Sequence, residues 1–88
     1  MNVRKLYSDY RTRSRELETS ILPDEAFSQA LRELAETLNH DLSGLTSKDR
    51  EALCDDLGVQ LENELYRATS TRQRKILVAL LKVLDSQD

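Results

Sequence analysis

The segment Ile76-Leu77-Val78-Ala79-Leu80-Leu81-Lys82-Val83-Leu84 carries one charged residue and constrains this chain more than any other stretch. A helix in a small water-exposed protein hides one apolar stripe and turns a polar face to solvent. Here Ile76, Leu77, Leu80, Leu81 and Leu84 form a wide stripe, and Val78, Ala79 and Val83 lie outside its centre. A chain of 88 residues has a thin core, and association commonly supplements it at this size. The expectation is that a second copy or another protein packs on this helix. Ile76, Leu77, Leu80, Leu81 and Leu84 would then be the self-association surface.

The rest of the chain also reads as helix. Two glycines and one proline leave few turn signals. Val3, Leu6, Tyr7, Tyr10 and Leu17 make a narrow stripe over residues 3–19, interrupted by Ser14. Pro23 disfavours helix in the residue before it and suits the first turn of the next helix. Phe27, Leu31, Leu34, Leu38 and Leu42 alternate steps of three and four and predict a helix over 24–42. Gly44 is expected to close it in the left-handed conformation. Thr46 is the expected N-cap of a helix over 47–67, with Asp49 as the capping-box acid. Leu53, Leu57, Leu61 and Leu65 recur every four residues along it. Gly58 costs that helix about 1 kcal/mol relative to alanine, which predicts close approach of a neighbouring helix. Ser70-Thr71-Arg72-Gln73 matches a capping box and predicts a break before a fourth helix over 71–84.

The short link around Gly44 makes the second and third helices antiparallel neighbours. The expected fold class is all-α: one domain of three to four helices with a central antiparallel helical hairpin, in a homodimeric bundle.

A net charge of −3 conceals strong segregation. Residues 1–15 hold five cations and one acid, residues 16–66 thirteen acids and three cations, and residues 67–84 five cations and no acid. Such blocks attract one another within a chain, orient two chains, or steer a charged partner.

Few residues suit catalysis. A nucleophilic site needs a nucleophile, a base and a group to orient the base, and the chain has one histidine and one cysteine. Cys54 falls near the apolar stripe of its helix and reads as a small core residue. His40 lies near a helix C-terminus one turn after Glu36, a capping or surface-pairing position. The helical spacing of Glu33, Glu36, Glu51, Asp55, Asp56, Glu62 and Glu64 gives a solvated acidic face rather than a convergent pair. Glycine-rich phosphate loops, zinc spacings and calcium loops do not occur. No enzymatic activity, catalytic residue, cofactor or metal site is expected. The lone cysteine, the lack of an apolar run of about 18 residues and the lack of a secretory signal predict a cytoplasmic, non-membrane protein.

Binding is the remaining class. Arg11, Arg13 and Arg15, or the acidic face around Asp55, Asp56 and Glu62, are the candidates for contact with a protein partner. A second possibility is nucleic acid held by the two basic ends, with Tyr7 and Tyr10 beside the first and Arg72, Arg74 and Lys75 in the second. Convergent cations are required for that, and the acidic middle opposes it. A third is a structural subunit of a larger assembly.

The helix start Leu45-Thr46-Ser47-Lys48, the Leu61-Glu62 step, Arg74-Lys75-Ile76-Leu77-Val78-Ala79-Leu80-Leu81 and the end Asp85-Ser86-Gln87-Asp88 resemble the enterobacterial YmgB/AriR family over about residues 24–88. That resemblance implies a small helical regulator of biofilm formation and acid resistance, connected to a phosphorelay response regulator. Leu53-Cys54 through Glu64-Leu65-Tyr66-Arg67 is also similar to the second helix of Rop, a plasmid RNA-binding four-helix dimer. Ala26, Ala30, Leu34 and Asp41 fall near the places where Rop presents polar, aromatic and basic groups to RNA. RNA binding therefore does not carry over, and neither resemblance assigns a site residue. Together these readings lead to the expectation of a dimeric regulatory or adaptor protein that acts by protein–protein interaction.

Overall fold

The computed structural model describes residues 2–87; Asp88, the last acid of the terminal run, lies outside them. It contains α1 (Val3–Glu18), α2 (Asp24–Ser43), α3 (Ser47–Arg67) and α4 (Thr71–Asp85), with no strand among the described residues. The all-α class and the four segments are those expected.

Local chemistry accounts for the boundaries. Thr46 Oγ1 accepts the Asp49 N–H at 3.2 Å, and Ser70 Oγ accepts the Gln73 N–H at 3.4 Å. Both satisfy donors that a helix N-terminus leaves unpaired. Asn2, a cap the apolar periodicity does not reveal, accepts from the N–H groups of Arg4 at 2.9 Å and Lys5 at 3.4 Å. Pro23 sits at the N-cap of α2 rather than inside its first turn, and it provides no side-chain cap. The break between α3 and α4 is real: Ala68 is extended (φ −67°, ψ 133°). Its carbonyl receives Arg74 Nε at 3.3 Å and Nη2 at 3.0 Å.

Two glycine expectations are corrected. Gly44 has φ −84°, so α2 does not end in a left-handed residue. The last carbonyls are met locally instead: Gly44 N–H donates to Asp41 O and Leu45 N–H to Leu42 O, both at 3.2 Å, and the Ser43 hydroxyl donates to His40 O at 2.7 Å. Arg50 donates through Nε to Leu42 O at 3.0 Å and through its guanidinium to Leu45 O at 3.2 Å. At Gly58 a Cβ would meet nothing nearer than Leu84 Cδ1 at 3.9 Å. That is ordinary van der Waals contact, so close approach does not explain this glycine.

The core is continuous from end to end of the bundle. Leu38 and Leu42 of α2, Leu53, Leu57 and Leu61 of α3, and Ile76, Leu77 and Leu80 of α4 are essentially inaccessible. Burying each such side chain is worth about 1.5–3 kcal/mol, opposed by the entropy of ordering the chain. α4 packs most extensively on α3 and also lies against α2 and α1. This overturns the premise that one chain is too small to cover it. Ile76, Leu77, Leu80 and Leu84 are buried inside a single copy, and Leu81 packs partly covered beside them. A second copy could not reach that stripe without opening the bundle. The expected central hairpin is corrected in the same way: α2 and α3 follow each other through a short turn but are not packed neighbours, making only slight contact, each packing on α1 and α4.

α1 is seated by mixed means. Leu6 and Tyr10 are buried with Ser14, so the polar residue that interrupts the stripe still faces inward. The Tyr10 hydroxyl donates to Asp41 Oδ2 of α2 at 2.5 Å.

Candidate interaction surface

The outer face of α3 gathers three of the acids singled out in the sequence. Asp55, Asp56 and Glu62 are exposed and make no ion pair among the described residues. Val59 lies one turn from each of them and Tyr66 one turn beyond Glu62, so the face reads acid, apolar, acid, aromatic at helical spacing. Val59 is 60% exposed and Tyr66 94% exposed. Alternation at four residues explains the arrangement: Leu53, Leu57, Leu61 and Leu65 take the inner face, so the residues between them are turned outward.

Two depressions flank this face. One, of about 690 Å³, lies between α1 and α3 and is lined by Asn2, Val3, Arg4, Tyr7, Asp56 and Val59. The other, of about 350 Å³, lies between α3 and α4, where Asp55, Glu62 and Asp85 surround Cys54, Gly58 and Leu81. Cys54 is half-buried and packs on the core, as its position in the stripe suggests.

The N-terminal arginines are not brought together. Arg11 turns toward α3, where a guanidinium nitrogen lies 3.8 Å from Glu64, and it stands 5.6 Å from the Tyr7 ring centre. Its Nε is buried without a hydrogen-bond partner among the described residues. Arg13 lies 5.3 Å from the Tyr10 ring centre, while Arg15 is exposed and has no side-chain ion pair among the described residues. Burial raises the Tyr10 hydroxyl well above the usual tyrosine range. The hydrogen bond to Asp41 and its negative charge add to the rise, because both oppose loss of the proton.

The second basic cluster is divided too. Arg72 donates to Leu22 O at 2.6 Å and Asp24 Oδ1 at 3.0 Å, with its guanidinium 4.5 Å from the Phe27 ring centre. Arg74 closes the end of α3. Lys75 and Lys82 stay exposed on α4. They edge a third depression, of about 440 Å³, whose floor is Leu31 of α2 with Val78 and Ala79 of α4. No acid lines it. Sequence reasoning missed this groove because Val78 and Ala79 looked like the margin of the buried stripe.

No three of His, Cys, Asp and Glu gather to hold a metal ion among the described residues. Glu33, Glu36, Thr37 and His40 line a shallow surface depression. No helix among the described residues is long and apolar enough to cross a membrane. The chain matches no known protein-family model, no curated protein and no solved structure.

Proposed function

We propose that this chain is a small non-enzymatic adaptor of bacterial gene regulation or signalling, acting in the cytoplasm by binding another protein through the outer face of α3. The observation that carries this reading is the pair of exposed apolar side chains, Val59 and Tyr66, set among Asp55, Asp56 and Glu62. Val59 and Tyr66 stand seven residues, about two turns, apart on one side of the helix, so a partner segment laid along α3 would cover both. Tyrosine is among the residues that anchor interfaces, and the three acids favour a partner segment bearing lysine or arginine. The resemblance of residues 24–88 to YmgB/AriR-type regulators supports a regulatory role. A nucleic-acid ligand has weaker support, because Arg11, Arg72 and Arg74 are engaged within the chain.

Crosslinking capture from the native cell tests the proposal, comparing wild type with the Val59→Ser, Tyr66→Ser double variant. A protein captured by the wild type and lost with the variant is expected. Equal capture by both, or capture of nothing but nucleic acid, would remove the α3 face from consideration.

A further inference from the structure

The α3 face and the α2/α4 groove match each other in charge, spacing and apolar content. On α3, Asp55 and Glu62 are seven residues apart with Val59 between them. On α4, Lys75 and Lys82 are also seven apart, with Val78 and Ala79 between them. Seven helical residues span about 10.5 Å at about 1.5 Å per residue, so both charge pairs meet in register when the helices lie side by side. Run antiparallel, Asp55 falls opposite Lys82, Val59 opposite Val78, Glu62 opposite Lys75, and Tyr66 opposite Thr71. Antiparallel packing also sets the helix dipoles head to tail.

Among the described residues, Asp55 and Glu62 make no ion pair, and neither do Lys75 and Lys82. The two faces lie on different sides of the bundle: Asp55 and Glu62 border the α3/α4 depression, while Lys75 and Lys82 border the α2/α4 groove. A chain cannot join its own faces. A second copy can.

We infer that the acidic face of α3 in one copy docks antiparallel into the α2/α4 groove of the next copy. This rests on the reading of the α3 face as an interaction surface, and it adds an occupant and a complementary site. The contact is heterologous, so every added copy presents one unused face of each kind, and assembly continues as a chain or closes as a ring. It differs from the dimer expected of Ile76, Leu77, Leu80, Leu81 and Leu84, because none of those residues takes part.

Sedimentation of the full chain over a range of concentrations tests it directly. At about 0.01 M salt, where charges act over about 30 Å, the mean mass is expected to climb with concentration past that of two chains. At about 1 M salt the screening length falls to about 3 Å, and the mass should return to that of one chain. Lys75→Glu with Lys82→Glu, and separately Asp55→Lys with Glu62→Lys, should each weaken association at least tenfold while circular dichroism stays unchanged. Mixing the two variants should restore it, since each then offers the charge the other needs. A wild type that is a single chain under all these conditions overturns the proposal. So does association that survives either reversal, or a mixture that stays dissociated. The lysine variant also separates this inference from the adaptor reading, because it leaves the α3 face intact and should still capture a heterologous partner.

Discussion

α1 and α4 close the same bundle by different physics. α4 contributes Ile76, Leu77, Leu80 and Leu84 to the core and needs little else to hold it. α1 buries only Leu6 and Tyr10 among its apolar residues, with Val3, Tyr7 and Leu17 partly covered. Its remaining attachments to the other helices are polar: Tyr10 to Asp41 and Arg11 toward Glu64. Burial is insensitive to pH and gains from every methylene removed from water. Polar tethers instead depend on the protonation state and placement of single partners. The N-terminal helix should therefore be the more easily released of the two, and its backbone amides should exchange with solvent faster than those of α4.

The largest effect tests the α4 half of this contrast. Leu80→Ala removes a fully buried side chain and should cost about 2–5 kcal/mol, a large part of the roughly 5–15 kcal/mol that holds a typical domain. Denaturant titration measures it. A cost below about 1 kcal/mol, no more than a surface change usually brings, would mean that α4 is not core.

Tyr10→Phe tests the α1 half. It keeps the ring and deletes the bond to Asp41, for an expected loss of about 1.5–3 kcal/mol near neutral pH. Because the folded state holds the phenolic proton more tightly than the unfolded chain, its contribution is complete below about pH 10. It falls as pH rises beyond that. Wild type should thus show a steeper alkaline decline in stability than Tyr10→Phe. Parallel declines would place the hydroxyl outside the α1–α2 contact.

Gly58→Ala sharpens the comparison from the α3 side of the α4 interface. The new methyl has room against Leu84, so helix propensity decides the sign, and stability should rise by about 0.5–1 kcal/mol. A loss would show that α3 and α4 sit closer than Leu84 Cδ1 indicates. An effect of similar size belongs to the polar tether from α4 to the start of α2. Arg72→Ala gives up its contacts with Leu22, Asp24 and Phe27 at a partly exposed site, worth about 0.5–1 kcal/mol. A thermal melt resolves this only if run beside the other variants.

The four helices were legible because their signals are local. Thr46 with Asp49, and Ser70 with Gln73, lie three residues apart, and the leucines of α3 repeat every four. The acidic face was legible for the same reason: placing the leucines inward places Asp55, Asp56 and Glu62 outward. Which cations remain available was not legible. Tyr10 and Asp41 are 31 positions apart, and Arg72 and Asp24 are 48. Periodicity within a helix has no means of pairing them. The α2/α4 groove was hidden likewise, since Leu31 and Val78 meet only through packing.

From the residues alone came helix class, helix ends, the inward leucines and the outward acids, because backbone capping and amphipathic spacing act within a few positions. The tertiary arrangement decided that α4 is sheathed by its own chain, that Arg11, Arg72 and Arg74 are taken up internally, and that Lys75 and Lys82 frame an open groove. Those outcomes depend on which helix lies against which, and that is settled by how a limited apolar interior can be filled in three dimensions.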